Sequence, residues 1–121
     1  MATIDYVVEF HGDKTRASVI LWANMKSGDV GRSLDISNQS DRTIQVTGTF
    51  SGASATLKGS NNPGPSPLYD TLRDPFNSLL VFTGEDLKQI LEVPHRVRPE
   101  ISGGDLNTNL TVRICAVLVE E

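Results

Sequence analysis

Gln45-Val46-Thr47-Gly48-Thr49-Phe50-Ser51-Gly52-Ala53-Ser54-Ala55-Thr56-Leu57-Lys58 alternates small or apolar residues with polar ones on both sides of Ser51-Gly52. With those two residues as a turn, Phe50 faces Ala53, Gly48 faces Ala55 and Val46 faces Leu57. The other set matches Thr49 with Ser54, Thr47 with Thr56 and Gln45 with Lys58. One side is then small or apolar and the other polar, as in a strand pair with one buried face. Gly52 supplies the positive φ that a two-residue turn requires. The sequence predicts a β-hairpin here.

Period two continues outward in both directions. Upstream, Ile4, Tyr6, Val8 and Phe10 alternate with Asp5, Val7 and Glu9, and Thr15 to Trp22 reads as a second strand. Asn24 to Arg32 reads as a loop, Leu34 and Ile36 as a short strand, and Ser37 to Asp41 as another loop. Downstream, Ser60 to Pro67 contains three prolines, which cannot donate to a ladder, and is expected to be exposed. Leu68 to Leu72 and Leu79 to Phe82 read as short strands separated by Asp74-Pro75. One short helix is expected over Gly84 to Leu91. Thr83 would cap it, Asp86 would reach back to the cap, and Phe82 would staple against Leu87. Val93, Val97 and Ile101 mark a further strand, Gly103-Gly104-Asp105 a turn, and Leu110 to Val119 the last strand. The whole is about eight short strands, the pattern of an all-β, jelly-roll-like antiparallel β-sandwich with one short helix.

The 121 residues suit a single domain, 1–121, with residues 1–10 as an N-terminal arm or edge strand. Hydrophobic residues make up 38%, enough for one packed core. Fifteen acidic and 11 basic residues leave a net charge of -4, which gives no electrostatic reason to bind nucleic acid. The single cysteine, Cys115, lies in Ile114-Cys115-Ala116-Val117 and reads as a small buried hydrophobe. No basic-then-apolar leader opens the chain, and no apolar run reaches the length of a membrane span, so a cytoplasmic place of synthesis is expected.

Catalytic chemistry finds no support in the residues. His11 and His95 fall in no catalytic motif, and with Cys115 they match no zinc-site spacing. Glu85-Asp86 is explained by the amino end of the expected helix. Gly103 to Asn107 offers too few oxygen ligands for calcium. No enzyme activity, metal or cofactor is expected.

Apolar residues on the wrong face are more informative. Ala17, Val19 and Leu21 take one face of their strand, yet Ile20 and Trp22 lie opposite. Leu110, Val112, Ile114, Ala116 and Leu118 form one face of the last strand, with Val117 and Val119 opposite. Either the fold covers both faces there, or these residues meet a partner. Tyr6 and Phe10 on the N-terminal segment are further contact candidates. So are Arg96 and Arg98, which share one face of the basic run His95-Arg96-Val97-Arg98.

Several segments together resemble a family of small structural proteins of tailed bacteriophages. They are Trp22-Ala23-Asn24-Met25, Ser27 to Gly31, Ser40 to Phe50, Ala55 to Asn61, Leu79 to Thr83 and Val93 to Gly104. The resemblance runs from about Trp22 onward. It departs after Asn61, where relatives continue with an acidic-glycine turn and an aromatic residue, and it leaves the first twenty residues unmatched. It implies a virion component: a capsid decoration or cement protein of jelly-roll type, made in the bacterial host cytoplasm and placed on the capsid exterior. The implied partners are the major capsid protein and further copies of the chain, as a dimer or trimer. A neck or tail accessory protein is the alternative within the virion, and a carbohydrate-binding jelly roll the alternative outside it. Aromatics at 6% leave little for the stacking platforms a sugar binder uses.

Overall fold

The computed structural model describes residues 2–11, 17–35, 39–65, 67–92 and 94–118. Eleven strands follow in order: β1 (Thr3–Ile4), β2 (Val7–His11), β3 (Ala17–Met25), β4 (Val30–Gly31), β5 (Gln39–Thr49), β6 (Ala53–Ser60), β7 (Asp70–Thr71), β8 (Val81–Phe82), β9 (Asp86–Gln89), β10 (Arg96–Gly103) and β11 (Asn109–Leu118). They form two sheets. Sheet A runs β1-β4-β10-β6-β7, with β8 also on β6, and sheet B runs β2-β3-β11-β5-β9. The β1–β4 pair is parallel and the other pairs are antiparallel.

Ser51-Gly52 turns the chain as expected: Ala53 N–H donates to the Phe50 carbonyl at 2.9 Å, with φ of 49° at Ser51 and 85° at Gly52. The strands it joins do not pair, which corrects the hairpin expectation. β5 lies in sheet B against β11, with Val46 opposite Val112, while β6 lies in sheet A against β10, with Leu57 opposite Pro99. The turn is an arch from one sheet to the other. The apolar alternates do face the core, and Val46, Ala55 and Leu57 are all buried. They meet across the sandwich instead of side by side in one sheet, and alternation alone reads the same either way.

The chain changes sheet repeatedly. It passes from β1 in sheet A to β2 in sheet B between Ile4 and Val7, so the N-terminal segment forms one edge of each sheet. Asn24 to Arg32 is not all loop: β3 continues to Met25, and β4 pairs with Thr3, Ile4 and Glu100. The Asp29 carboxylate secures this corner by accepting from Ala2 N–H at 3.1 Å and Lys26 N–H at 2.8 Å. Likewise β5 begins at Gln39, within the segment expected as a loop. Leu34 forms an isolated bridge with Val97, while Ile36, Val93 and Val119 lie outside the described residues.

The expected helix over Gly84 to Leu91 is a strand. β9 pairs with β5, Leu87 opposite Gln45 and Lys88 opposite Ile44. Eight residues with a glycine near the start make a poor helix nucleus, and β5 otherwise exposes its backbone along this side. The two carboxylates find other work: Glu85 accepts from Gly48 N–H at 3.0 Å, and Asp86 from Leu87 N–H at 2.8 Å. Phe82 is core, with the Lys88 ammonium 5.3 Å above its ring centroid.

One core fills the space between the sheets, built from Trp22, Met25, Leu57, Leu80, Phe82, Val97, Leu110, Val112 and Ile114 among others. Each such side chain, removed from water, contributes about 1.5–3 kcal/mol before entropy is counted.

Candidate functional site: the outer face of sheet B

The two sheets differ in what they turn outward. On sheet A the outer residues of β6 and β10 are polar. Glu100 holds Lys58 at 3.1 Å and Arg98 at 2.9 Å, and the Arg98 guanidinium lies 3.8 Å from the centroid of the Tyr69 ring. The Tyr69 hydroxyl in turn hydrogen-bonds Ser33. Arg96 is half-buried on the same face, opposite Ser60. Arg98 is thus occupied within the chain by an anion and an aromatic face.

Sheet B is different. In register across it run Val7, Leu21, Arg113, Gln45 and Leu87. The next row is Phe10, Val19, Cys115, Thr43 and Gln89, and beyond it Val117 stands opposite Ala17. Val19, Cys115 and Val117 are half-buried, Leu21 is buried and Val7 is 56% exposed. The β3 and β11 positions Leu21, Val19, Cys115 and Val117, with Val7 of β2, therefore form an apolar patch on the outside, bordered by Arg113, Gln45, Thr43 and Gln89. An ion pair crosses it, in which Arg113 Nε meets Glu9 Oε1 at 2.9 Å. That hydrogen bond holds the Glu9 carboxyl below its ordinary pKa and raises that of Arg113.

The sequence candidates divide accordingly. Val117 lies on this face, and Phe10 is placed in line with it by backbone register opposite Val19. Ile20 and Trp22 do not: they are core residues, 5% and 0% exposed, and the indole N–H donates to the Arg32 carbonyl at 3.0 Å. The inward and outward faces of β3 are the reverse of those expected, because four consecutive apolar residues, Val19 to Trp22, leave period two ambiguous. Tyr6 packs edge-on against Trp22, ring centroids 5.9 Å apart at 70°, and so closes the core. Arg96 and Arg98 are on the opposite sheet. Val119 lies outside the described residues.

Sequence reasoning missed the exposed apolar residues near β9. Phe76 is 89% exposed, and Leu79, Leu87 and Leu91 are also open to solvent. Asp-Pro beside Phe76 reads only as a turn, and the spacing of Leu87 and Leu91 reads as a helix face. No group of three or more potential metal ligands occurs among the described residues, and no helix is long and apolar enough to cross a membrane.

Architecture and surface define a small all-β sandwich with one ion-paired polar outer face and one that carries an apolar patch. No protein-family model and no curated protein matches the chain. Among solved structures, the fold is similar to that of the SPBc2 prophage-derived protein YomS, with a TM-score of 0.58 at 9% identity over 83% of this chain and 93% of that one. A mutant of the Acinetobacter sp. DL28 L-ribose isomerase aligns with a TM-score of 0.48 at 12% identity, over 88% of this chain and 50% of the isomerase. PliG of Aeromonas hydrophila, a periplasmic inhibitor of g-type lysozyme, aligns with a TM-score of 0.43 at 12% identity, over 98% of this chain and 96% of its own.

Proposed function

We propose that the chain is a bacteriophage virion structural protein, a non-enzymatic capsid decoration or cement protein of jelly-roll type that binds the major capsid protein in the assembled shell. The observation that carries this reading is the apolar patch of Val7, Val19, Leu21, Cys115 and Val117 on the outer face of sheet B, set against the polar outer face of β6 and β10 in sheet A. An apolar patch of this kind in a small domain fits docking onto another protein surface. The phage reading is supported by the segments from Trp22 to Gly104 that resemble tailed-phage structural proteins, and by the shared fold with a prophage-derived protein.

Such a protein stabilises the shell by mass action, since it binds the assembled lattice in preference to free subunits. Several weak contacts made at once favour the lattice further. Co-sedimentation of the purified chain with empty capsids, beside unassembled capsid subunits, tests the reading. The intact chain is expected to pellet with capsids and not to bind subunits. Val117→Lys, checked for an unchanged circular-dichroism spectrum, places an ammonium on the apolar face and is expected to weaken capsid binding about tenfold or more. Failure of the intact chain to bind capsids rejects decoration in favour of a neck or tail position. Full binding by the variant removes the sheet B face from the reading.

A further inference from the structure

We propose that the free edge of β9 is a self-association site, where a second copy of this chain adds its own β9 in antiparallel register about Leu87. Backbone directions follow from the two ends of this segment. Ile90 N–H donates to the Arg42 carbonyl at 2.9 Å, so the even positions of β9 face β5. Leu91 N–H donates the other way, to the Arg73 carbonyl at 3.0 Å, so the odd positions face outward. Leu87 and Gln89 thus turn their amides and carbonyls to the open side of sheet B, and the Leu87 amide is held by the carboxylate of its neighbour Asp86.

Read against itself about Leu87, the segment is complementary in charge. Asp86 falls opposite Lys88 of the second copy, Lys88 opposite Asp86, Glu85 opposite Gln89, and Leu87 opposite Leu87. Opposite charges directly across an antiparallel pair stabilise it, and like charges destabilise it. Centring the pair on Asp86, Lys88 or Glu85 would set like charges face to face. An exposed edge with a lysine is ordinarily protected against pairing. Here that lysine meets a carboxylate in this one register, so the device selects a partner instead of excluding all of them.

The apolar surroundings fit the same occupant. Leu87 is 58% exposed on the outer face of sheet B and shares a groove with Phe76 and Pro75. Phe76 is held out by a tightly bonded turn: one oxygen of Asp74 accepts from Phe76 N–H and Ser78 N–H, both at 2.9 Å, and Arg73 donates to the Asn77 carbonyl at 3.0 Å. A two-fold axis through the Leu87 pair would join two copies of sheet B edge to edge. Such an isologous contact closes on itself as a dimer. This gives a surface to the self-association implied by the phage resemblance, yet it concerns the isolated chain and is tested without capsids.

The test is sedimentation velocity over a concentration series of the full chain, with Asp86→Lys and Lys88→Asp variants run singly and as an equimolar mixture. The intact chain is expected to sediment as a dimer. Each variant alone opposes like charges twice across the axis, and its association is expected to weaken about tenfold or more. Mixed, one edge is positive where the other is negative, and a one-to-one heterodimer is expected to form. Restoration by mixing separates lost complementarity from lost folding. A monomeric or trimeric intact chain overturns the proposal. So do variants that dimerise alone as well as the intact chain does, or a mixture that stays monomeric. None of these results bears on capsid binding by the sheet B face.

Discussion

The hydroxyl of Thr108 donates to the carbonyl oxygen of Phe50 at 3.0 Å, a contact across 58 residues of sequence that joins the two arches at one end of the sandwich. The first arch is Phe50 to Ala53, and the second runs from Gly103 to Thr108. Each carries the chain from one sheet to the other. The same hydroxyl accepts from Asp105 N–H at 3.1 Å, and Ser51 Oγ donates to Asp105 Oδ1 at 2.7 Å. Side-chain bonds thus tie together two turns that belong to no common hairpin.

Thr108 is fully buried, and its hydroxyl finds its partners within the chain, at the half-buried Phe50 and the exposed Asp105. Thr108→Val keeps the shape and leaves the Phe50 carbonyl and the Asp105 amide without that partner. The expected cost is about 0.5–1.5 kcal/mol, read as a lower denaturation midpoint at unchanged slope. An unchanged midpoint would show that the arches do not depend on each other.

The two arches make contrasting demands on their glycines. At Gly52, φ is 85° and an added Cβ meets nothing within 4 Å, so the demand is purely conformational. Gly52→Val is expected to cost about 1–3 kcal/mol, and Gly52→Asn clearly less, since asparagine tolerates positive φ. At Gly104, φ is 88° and a Cβ would lie 2.3 Å from Thr108 Oγ1 and 2.8 Å from Ala53 Cβ. Gly104→Ala therefore adds a steric clash to the same strain and is expected to destabilise more than Gly52→Ala. Equal midpoints for the two alanine variants would contradict the packing of the second arch.

How much of this was legible depends on which physical choice alternation leaves open. In β11, Leu110, Val112, Ile114 and Ala116 fix the inward face, so the outward position of Val117 followed at once. In β3, Val19 to Trp22 is apolar on both sides, and only pairing with β11 settles that Ile20 and Trp22 point inward. Around Gly52 the sequence specifies a turn between two amphipathic strands but not whether they stay in one sheet. That depends on β10 and β11, forty and more residues away, which take β6 and β5 as partners. Gly84 to Leu91 carries helix-capping residues, and its conversion to a strand is a tertiary override by β5. Phe76 was hidden because a turn sequence does not say which of its residues the turn will present.

Asp105 links the arches to pH. The Ser51 hydroxyl and the Asn107 amide, at 2.7 Å and 2.8 Å, hold its carboxyl below the ordinary aspartate value. A group whose folded pKa is depressed contributes stability above its unfolded pKa, and loses it as pH falls through the folded value. Stability should therefore decline on acidification through and below the usual aspartate range. Asp105→Asn should flatten that part of the profile while leaving the slope near neutrality unchanged. Urea midpoints measured from neutral pH into the acid range check this, and parallel curves for the two proteins would refute it.

Arg42 points the other way, toward a substitution that stabilises. It follows the inward alternation of Ile44 and Val46 on β5 and is 1% exposed, yet Nη1 and Nη2 find no hydrogen-bond partner among the described residues. Burial lowers its pKa, and the charge of Glu92 offsets this only in part. The Glu92 carboxylate also accepts from Arg73 N–H, so it is shared. Taking a guanidinium out of water without satisfying its donors costs several kcal/mol, and a well-packed apolar side chain of similar length avoids that cost. Arg42→Met is expected to raise unfolding stability by about 1–4 kcal/mol. Glu92→Gln should lower it, because the buried cation then loses its nearest compensating charge. With Arg42→Met in the background, Glu92→Gln should cost markedly less, since no buried cation remains to be compensated. Denaturant midpoints of the four proteins in this cycle decide the matter, and a large loss of stability in Arg42→Met alone would show that the guanidinium is satisfied in the folded chain.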